Sequence, residues 1–567
     1  MLDVYIWGGI PAYLSHTQTQ PYRRCALLSL SLSPSLPPTT STMVSFHDDE
    51  KPSSPNAAGS KDGLVAMAIP AFNRKDVALT KDTVTAMVEI SATLSATMRE
   101  GLDLVAVLDV SGSMSGDKIE SVKKALQFVI LKLTPVDRLS IVTFHSTAHR
   151  LNPLRSMTHA AQADLRAIVN GLVADGGTDI KAGLDVGLAV LAGRVHTESR
   201  TPNIFLMSDG QTSGDPRQVN PGEVGVYTFG FGAGTDHKLL SDLANKSIGG
   251  TYSAVPDGTN LSAPFSQLLG GLLTVVAQDV QLTLEPNNAD GDLDKMTVAP
   301  GTDYSTTTDQ KTGIITIKFG TLFSGEARKV AVNFTLNDST ETEEYDANLA
   351  EARHSYAGQK TRQSPESILI VRTPNPSPVD PSSAGAQQRS VQAEELRRLH
   401  ANTIGAASIL ADAERLPEAR HKIMDAQNAV EDIMLDDGEK MINALRAELL
   451  QLLTFMESQA LYNERGHPYA LATIASHGRQ RTAGRGDEGE VISLYVTPRM
   501  IAYLEQAKRF EENPEEPVPT ADDDVEEEVK NDPFGSIAAP LALYLDTAIQ
   551  ALKSIKKVLA DASQRKR

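Results

Sequence analysis

Cysteine is almost missing from this 567-residue chain, which has one, Cys25. A single thiol closes no internal disulfide and builds no cysteine-rich zinc site. Such poverty over a long chain favours a reducing compartment, so a cytoplasmic location is expected. No run of about 18 apolar residues occurs, and no segment reads as a membrane-spanning helix. Basic charge is also short. The formal net charge is -19, which argues against a nucleic-acid binder because nothing neutralises phosphates over a broad surface. About half of that charge is local: residues 511–532 hold 11 acidic residues against one lysine, Lys530. The segment 511–533 reads as solvated and disordered, the alternative being a docking tail for a basic partner. Finally, neither a Gly-x-Ser-x-Gly nucleophile elbow nor a Walker-type phosphate loop is present.

What remains has the composition of an ordinary soluble protein, 41% apolar and 22% charged, and is long enough for three or four domains. Residues 1–60 read as an unstructured extension. The run from Cys25 to Pro34 is too broken by Ser and Pro for a secretory signal. Organelle targeting or secretion is the alternative if residues 1–42 are a working targeting segment, and Met43 is an alternative start. Two strand-like runs follow, Gly63–Ile69 and Thr83–Ser95, the second alternating. Leu102–Val110 is then nearly continuous in apolar residues, as in a parallel strand buried on both faces. Strand and helix patterns alternate from there. Helices are expected at Lys118–Leu133, His159–Leu172, Ile180–Leu191, Lys238–Ala244 and Leu261–Val275, and strands at Leu139–Phe144, Asn203–Met207, Gly225–Phe231 and Thr251–Val255. This order predicts an α/β domain over 100–272 with a doubly wound, mostly parallel, Rossmann-like sheet.

After Val276 short strands dominate: Val280–Leu284, Gly313–Phe319, Lys329–Leu336 and Ser367–Val371. The two early strands in 61–99 have no partners of their own, so they are expected to join this 273–373 set. The result would be an antiparallel β-sandwich into which the α/β domain is inserted. A Pro-rich linker (374–389) leads to a C-terminal α-helical region over 390–510, with helices at Ser390–Ala413, Pro417–Leu435, Gly438–Met456 and Arg499–Phe510. Residues 460–493 read as a mobile connector. A last helix is expected in 534–567.

The chemistry sits at strand ends. Asp109-Val-Ser111-Gly-Ser113 directly follows the first buried strand, where ligands gather in open α/β sheets. Asp175-Gly-Gly-Thr178-Asp179 is a Gly-rich loop opening a helix, and Ser208-Asp209-Gly210 ends another strand. Asp109, Ser111, Ser113, Thr178 and Asp209 are all hard oxygen donors, suited to Mg²⁺ or another hard divalent cation such as Mn²⁺ or Ca²⁺. Two carboxylates and three hydroxyls also leave room for an outside ligand.

Over roughly residues 100–272, these three segments, in order and spacing, resemble the von Willebrand factor A family. The resemblance implies a metal-ion-dependent adhesion site. The hydroxyls matching Ser111, Ser113 and Thr178 would touch the cation, with Asp109 and Asp209 acting directly or through water, and a partner protein's Asp or Glu would complete the coordination. Architecture over 60–372 is similar to a plant group in which some members carry a RING domain and act as E3 ubiquitin ligases. With only Cys25, that zinc domain cannot form within these residues. The expectation is therefore a non-enzymatic adaptor, or an accessory factor working beside RING-bearing relatives.

Other candidates carry less. His145, His149 and His159 suit no common zinc spacing and read as surface or loop histidines. The acids of Asn288–Asp294 imitate a calcium loop, but Leu293 stands where glycine is needed and Ala299 where glutamate is needed, so a turn is expected.

Overall fold

Asp103 is the one polar side chain between Leu102 and Leu108, and such a run is stable as a strand only with both faces covered. In the computed structural model both are. The structure describes residues 50–54, 64–74, 76–94, 99–232, 234–255, 262–360, 364–377, 386–431, 439–485 and 494–531. The expected N-terminal extension lies almost wholly, and the last helix entirely, outside the described residues.

The early strands are β1 (Val65–Phe72), β2 (Asp76–Ala78) and β3 (Asp82–Ala92). The α/β unit comprises β4 (Gly101–Asp109), α1 (Asp117–Lys132), β5 (Arg138–Phe144), β6 (Ala148–Arg150), β7 (Arg155–Ser156), α2 (His159–Asn170), α3 (Ile180–Ala192), β8 (Arg200–Ser208), β9 (Gly225–Phe231), α4 (His237–Lys246), β10 (Tyr252–Val255) and α5 (Ser262–Leu272). Its sheet runs β10-β9-β8-β4-β5-β6, with β7 also on β5. The five long strands are parallel, and β6 and β7 are antiparallel. The chain leaves β4 toward β5, then returns to β8 on the other side. The strand order therefore reverses between β4 and β8, the place where open α/β sheets form a crevice at their carboxyl ends.

Beyond it lie β11 (Val275–Pro286), β12 (Leu293–Val298), β13 (Ser305–Thr308), β14 (Ile315–Phe323), β15 (Ala327–Leu336), β16 (Tyr345–Ser355) and β17 (Glu366–Thr373). They pair with the early strands as expected. One sheet is β1-β3-β15-β12 and the other β13-β14-β11-β16-β17-β2, antiparallel except for β2 against β17. Val84, Val88 and Ile90 of β3 meet Leu282, Ile317, Leu349 and Ile368 in the core between them. The α/β unit is inserted between β3 and β11, and its two ends are joined by Glu100 N–H donating to Val275 O at 2.9 Å.

Six strands correct the sequence reading. The short β2, β6, β7 and β13 were not expected, β12 begins inside the segment read as a turn, and the long β16 was not expected either. Along β16 the buried positions are Ala347, Leu349, Ala350, Ala352 and His354. Three of these five are alanines, so residue type gives little strand signal there.

The helical region is α6 (Ala386–Asp412), α7 (Leu416–Glu431), α8 (Glu439–Phe455), the single turn α9 (Gln459–Leu461), α10 (His467–Arg479), α11 (Pro498–Glu512) and α12 (Ala521–Asn531). It is built onto the other two units. Val391 of α6 covers Met87 on the outer face of β3, and Ala472 of α10 joins the α/β core. Met500, Tyr503, Ala507 and Phe510 of α11 share a core with Phe128 and Phe265. Gly270 makes that last contact possible, since a Cβ there would lie 3.1 Å from Met500 Cα.

The connector expected at 460–493 is a second correction. Through Arg485 its described part is helix and ordered turn, and Arg481 is fully buried. The Arg481 guanidinium donates to both Glu326 carboxylate oxygens at 3.0 Å, to Gly249 O at 3.1 Å and to Thr321 O at 3.0 Å. Its Cζ lies 3.8 Å from the Phe323 ring centroid. One side chain thereby ties the α/β unit, the sandwich and the helices together. Burial alone would raise the Glu326 carboxyl, but Arg328 and Arg481 hold it below its ordinary value.

The acidic run is the third correction. Its residues 521–531 form α12, which sets Ala521 and Asp524 inward at i, i+3 spacing and leaves most of the other acids in water. Lys132, at the end of α1 and fully buried, donates to Asp524 Oδ2 at 2.6 Å, Gln506 Oε1 at 2.7 Å and Pro519 O at 2.5 Å. A charge-rich segment can be ordered when one of its acids finds a buried cation.

Candidate functional site

Asp109 is the last residue of β4 and is buried. Its Oδ1 accepts from Ser111 N–H at 2.9 Å, and its Oδ2 accepts from the Ser208 hydroxyl at 2.5 Å. Ser208 ends β8, and its Oγ accepts from Gly210 N–H at 3.0 Å. The loops carrying the two expected carboxylates are thus joined through Ser208. Burial raises the Asp109 carboxyl above its ordinary value, the bonds from Ser111 and Ser208 oppose this, and the charge of Asp209 adds to it.

After Asp109 the chain makes a short 3-10 turn, Gly112–Met114, that brings Ser111 Oγ within 3.1 Å of Ser113 Oγ. Ser111 is buried and Ser113 exposed, so the pair runs from the interior to the surface. Gly112 N–H donates to Gly176 O at 3.0 Å, and Asp175 N–H donates to Val110 O at 2.7 Å. These bonds fix the Gly-rich loop against the first one. Thr178 is half-buried on that loop, and its carbonyl accepts from Ser213 N–H at 2.9 Å and Ser213 Oγ at 3.0 Å. All three segments found in the sequence therefore meet at the crevice between β4 and β8.

Asp209 is 3% exposed. Gly210, at φ +75°, turns the chain away behind it, and Asp236 N–H donates to Asp209 O at 3.2 Å. Lys118 Nζ lies 3.4 Å from Asp209 Oδ2. Asp209 Oδ1 is buried with no hydrogen-bond partner among the described residues. A buried carboxylate oxygen without a donor is costly, and a hard cation is a ligand that would satisfy it. Sequence reasoning missed Ser208 and Lys118. Ser208 stood beside Asp209 in the motif, but its bond to Asp109 depends on strand pairing; Lys118 was read only as the start of a helix.

The remaining candidates resolve simply. His145 and His149 lie with ring centroids 5.7 Å apart, and Thr147 Oγ1 is 3.0 Å from His149 Nε2. Asp292, from the calcium-like segment, accepts from Arg372 at 2.7 Å and from Tyr345 at 2.6 Å. Among the described residues, the one convergence of three His or acidic ligand atoms is elsewhere, at His400, Glu448 and His477. The Nε2 atoms of His400 and His477 lie 2.7 and 2.8 Å from the same oxygen, Glu448 Oε2. Ligands around tetrahedral zinc stand about 3.3 Å apart, so these are hydrogen bonds. Arg485, 2.6 Å from Glu448 Oε1, already balances the charge. The cluster locks α6, α8 and α10 together.

Comparison with known proteins identifies the α/β unit. The profile of the von Willebrand factor type A domain matches residues 103–267. Residues 103–267 are a von Willebrand factor type A domain. A second profile, described as VWA / Hh protein intein-like, matches residues 439–509 in the helical region. E3 ubiquitin-protein ligase WAV3 of Arabidopsis thaliana is 29% identical over 255 residues, 44% of this chain and 33% of that protein. The probable E3 ubiquitin-protein ligase WAVH2 of the same plant is 34% identical over 199 residues, 33% of this chain and 26% of that protein. Inter-alpha-trypsin inhibitor heavy chain H1 of Mesocricetus auratus is 28% identical over 194 residues, 31% of this chain and 21% of that protein. The chain thus spans between 21% and 33% of the length of these relatives. Among solved structures, the von Willebrand factor type A protein from Catenulispora acidiphila superposes with a TM-score of 0.52 at 17% identity, covering 68% of this chain and 91% of that one. That likeness shows a shared fold. No helix among the described residues is long and apolar enough to cross a membrane.

Proposed function

We propose that this chain is an intracellular, metal-dependent protein-interaction module. Its VWA domain would hold Mg²⁺, or Mn²⁺ or Ca²⁺, on Asp109, Ser111, Ser113, Thr178 and Asp209, and would capture an Asp or Glu side chain of a partner. The observation that carries this reading is the buried, unpartnered Asp209 Oδ1 beside a second carboxylate and two serine hydroxyls. A bound cation supplies an electrophilic point for an incoming carboxylate. The protein's own part is positioning. Ser111 N–H and the Ser208 hydroxyl hold the Asp109 carboxylate in one orientation, while Ser113 offers a hydroxyl at the surface. No nucleophile paired with a base lies in this constellation, so we read recognition as the activity and assign no catalytic residue.

Thermal unfolding in MgCl₂ against EDTA tests the reading. At about a hundredfold excess over its Kd, a cation adds about 2.7 kcal/mol of stability, and Asp109→Ala and Asp209→Asn should abolish that gain. Partners recovered with Mg²⁺ should be lost with EDTA and with Asp109→Ala. A wild-type protein indifferent to the cation, or partners retained under both conditions, would overturn it.

A second reading is favoured by the names of the plant relatives. The chain would serve ubiquitination as an accessory factor beside RING-bearing relatives, because one cysteine cannot build a RING within these 567 residues. Ubiquitin transfer assayed with the chain alone and with such a relative separates the two roles; transfer by the chain alone would refute the accessory one.

A further inference from the structure

Helix α1 carries one charge in its first turn that works against its dipole. Gly116 precedes it without a side-chain cap, and Lys118, the second helical residue, puts a cation where unsatisfied N–H groups favour anions. Asp117 and Glu120, in the same turn, have the sign expected there. A lysine placed against the dipole needs a compensating partner, and Lys118 has Asp209, with the ammonium 3.4 Å from Oδ2. The carboxylate side chain is 4% exposed and the lysine 24%, so the lysine is the member of the pair that can swing into water.

We propose that Lys118 is a tethered counter-ion of the cation site: it neutralises Asp209 until a divalent cation takes the carboxylate, and so sets the cation affinity of the VWA domain. This rests on the metal-site reading above. One carboxylate faces two cations, one fixed to α1 and one drawn from solution. Coordination of the second weakens or breaks the bond to the first. The released ammonium then stands near the cation and a helix N-terminus, and this concentration of positive charge selects an anionic ligand over a neutral one.

Mn²⁺ titration of the full chain, followed by the electron paramagnetic resonance of free Mn²⁺, tests the proposal. Wild type, Lys118→Met and Lys118→Arg would be compared, with Asp209→Asn as the baseline for ions held loosely by the acidic surface and circular dichroism to confirm folding. Lys118→Met keeps the apolar stem and removes the charge, and should bind Mn²⁺ up to about fivefold more tightly. Lys118→Arg should stay close to wild type. Equal or weaker binding by Lys118→Met, with wild type still above the baseline, overturns the counter-ion role alone. If wild type and both Lys118 variants bind no better than Asp209→Asn, the metal-site reading fails and the counter-ion role falls with it.

Discussion

Replacing Asp524 by alanine removes the one carboxylate bonded to the fully buried Lys132 ammonium. Gln506 Oε1 and Pro519 O stay as acceptors, and the Tyr503 ring lies 4.1 Å from Nζ, but neither acceptor carries charge. Breaking a buried pair on one side typically costs about 3–5 kcal/mol, because a charge is left behind. Here the cost has a ceiling. Burial already pulls the Lys132 ammonium down to about 8, against the opposing pull of Asp524, so at neutral pH the lysine can escape by losing its proton for little more than about 1.4 kcal/mol. We therefore expect Asp524→Ala to cost about 2–3 kcal/mol. The loss should be local, since Arg499 Nε to Glu528 Oε1 at 2.9 Å is among the few other contacts fixing α12. Amide hydrogen exchange over 521–531 reads it directly: exchange in the variant should run roughly a hundredfold faster. Lys132→Met with Asp524→Leu, which removes both charges, should recover to within about 1 kcal/mol of wild type. Unchanged exchange in Asp524→Ala would mean that the pair does not hold α12, and exchange at the free-peptide rate in wild type would restore the expectation of a disordered acidic run.

Acid should loosen the helical region through His477. Burial pulls this imidazole from its ordinary 6.5 to about 4, although Glu448 pulls the other way. Between those values the unfolded chain binds the proton and the folded one does not, so stability is lost as pH falls from about 6.5 through about 4, by at most about 3 kcal/mol. Urea unfolding at pH 7 and pH 4.5 should show the loss, and His477→Gln should reduce its slope without removing the contribution of His237, which burial pulls to about 3; an unaltered slope would exclude His477 as the source. At the cation site, Gly210→Ala places a Cβ 2.9 Å from Asp236 N on a residue with φ +75°. It should cost about 1–3 kcal/mol by unfolding and weaken Mn²⁺ binding by displacing Asp209, so wild-type affinity in this variant would show that the turn does not position the carboxylate.

The α/β unit was legible because its signals are local. Leu102–Val110 is too apolar to be anything but a doubly covered strand, and α1 shows its period in Ile119, Val122, Leu126 and Val129, all buried. The three loops carrying the five oxygen donors were legible because each directly follows a strand end or leads into a helix. β16 was not, since Ala347, Ala350 and Ala352 fill its core face with residues that favour helices. The segment around Arg481 was not either, because glycines and arginines read as a solvated loop until something supplies a buried carboxylate.

By itself, then, the sequence determined the order of strands and helices, the insertion of one unit into another, and which hard oxygen donors lie on the loops at the strand ends. These follow from periodicity and from residue chemistry over a few neighbouring positions. Tertiary structure decided the pairings that give those residues their roles: Lys118 with Asp209 across 91 positions, Ser208 with Asp109 across 99, Arg481 with Glu326 across 155 and Lys132 with Asp524 across 392. A charged residue has the same composition whether it faces water or a buried partner. Only the packing that removes water from one face of it selects between the two, and that packing is assembled from elements far apart in the chain.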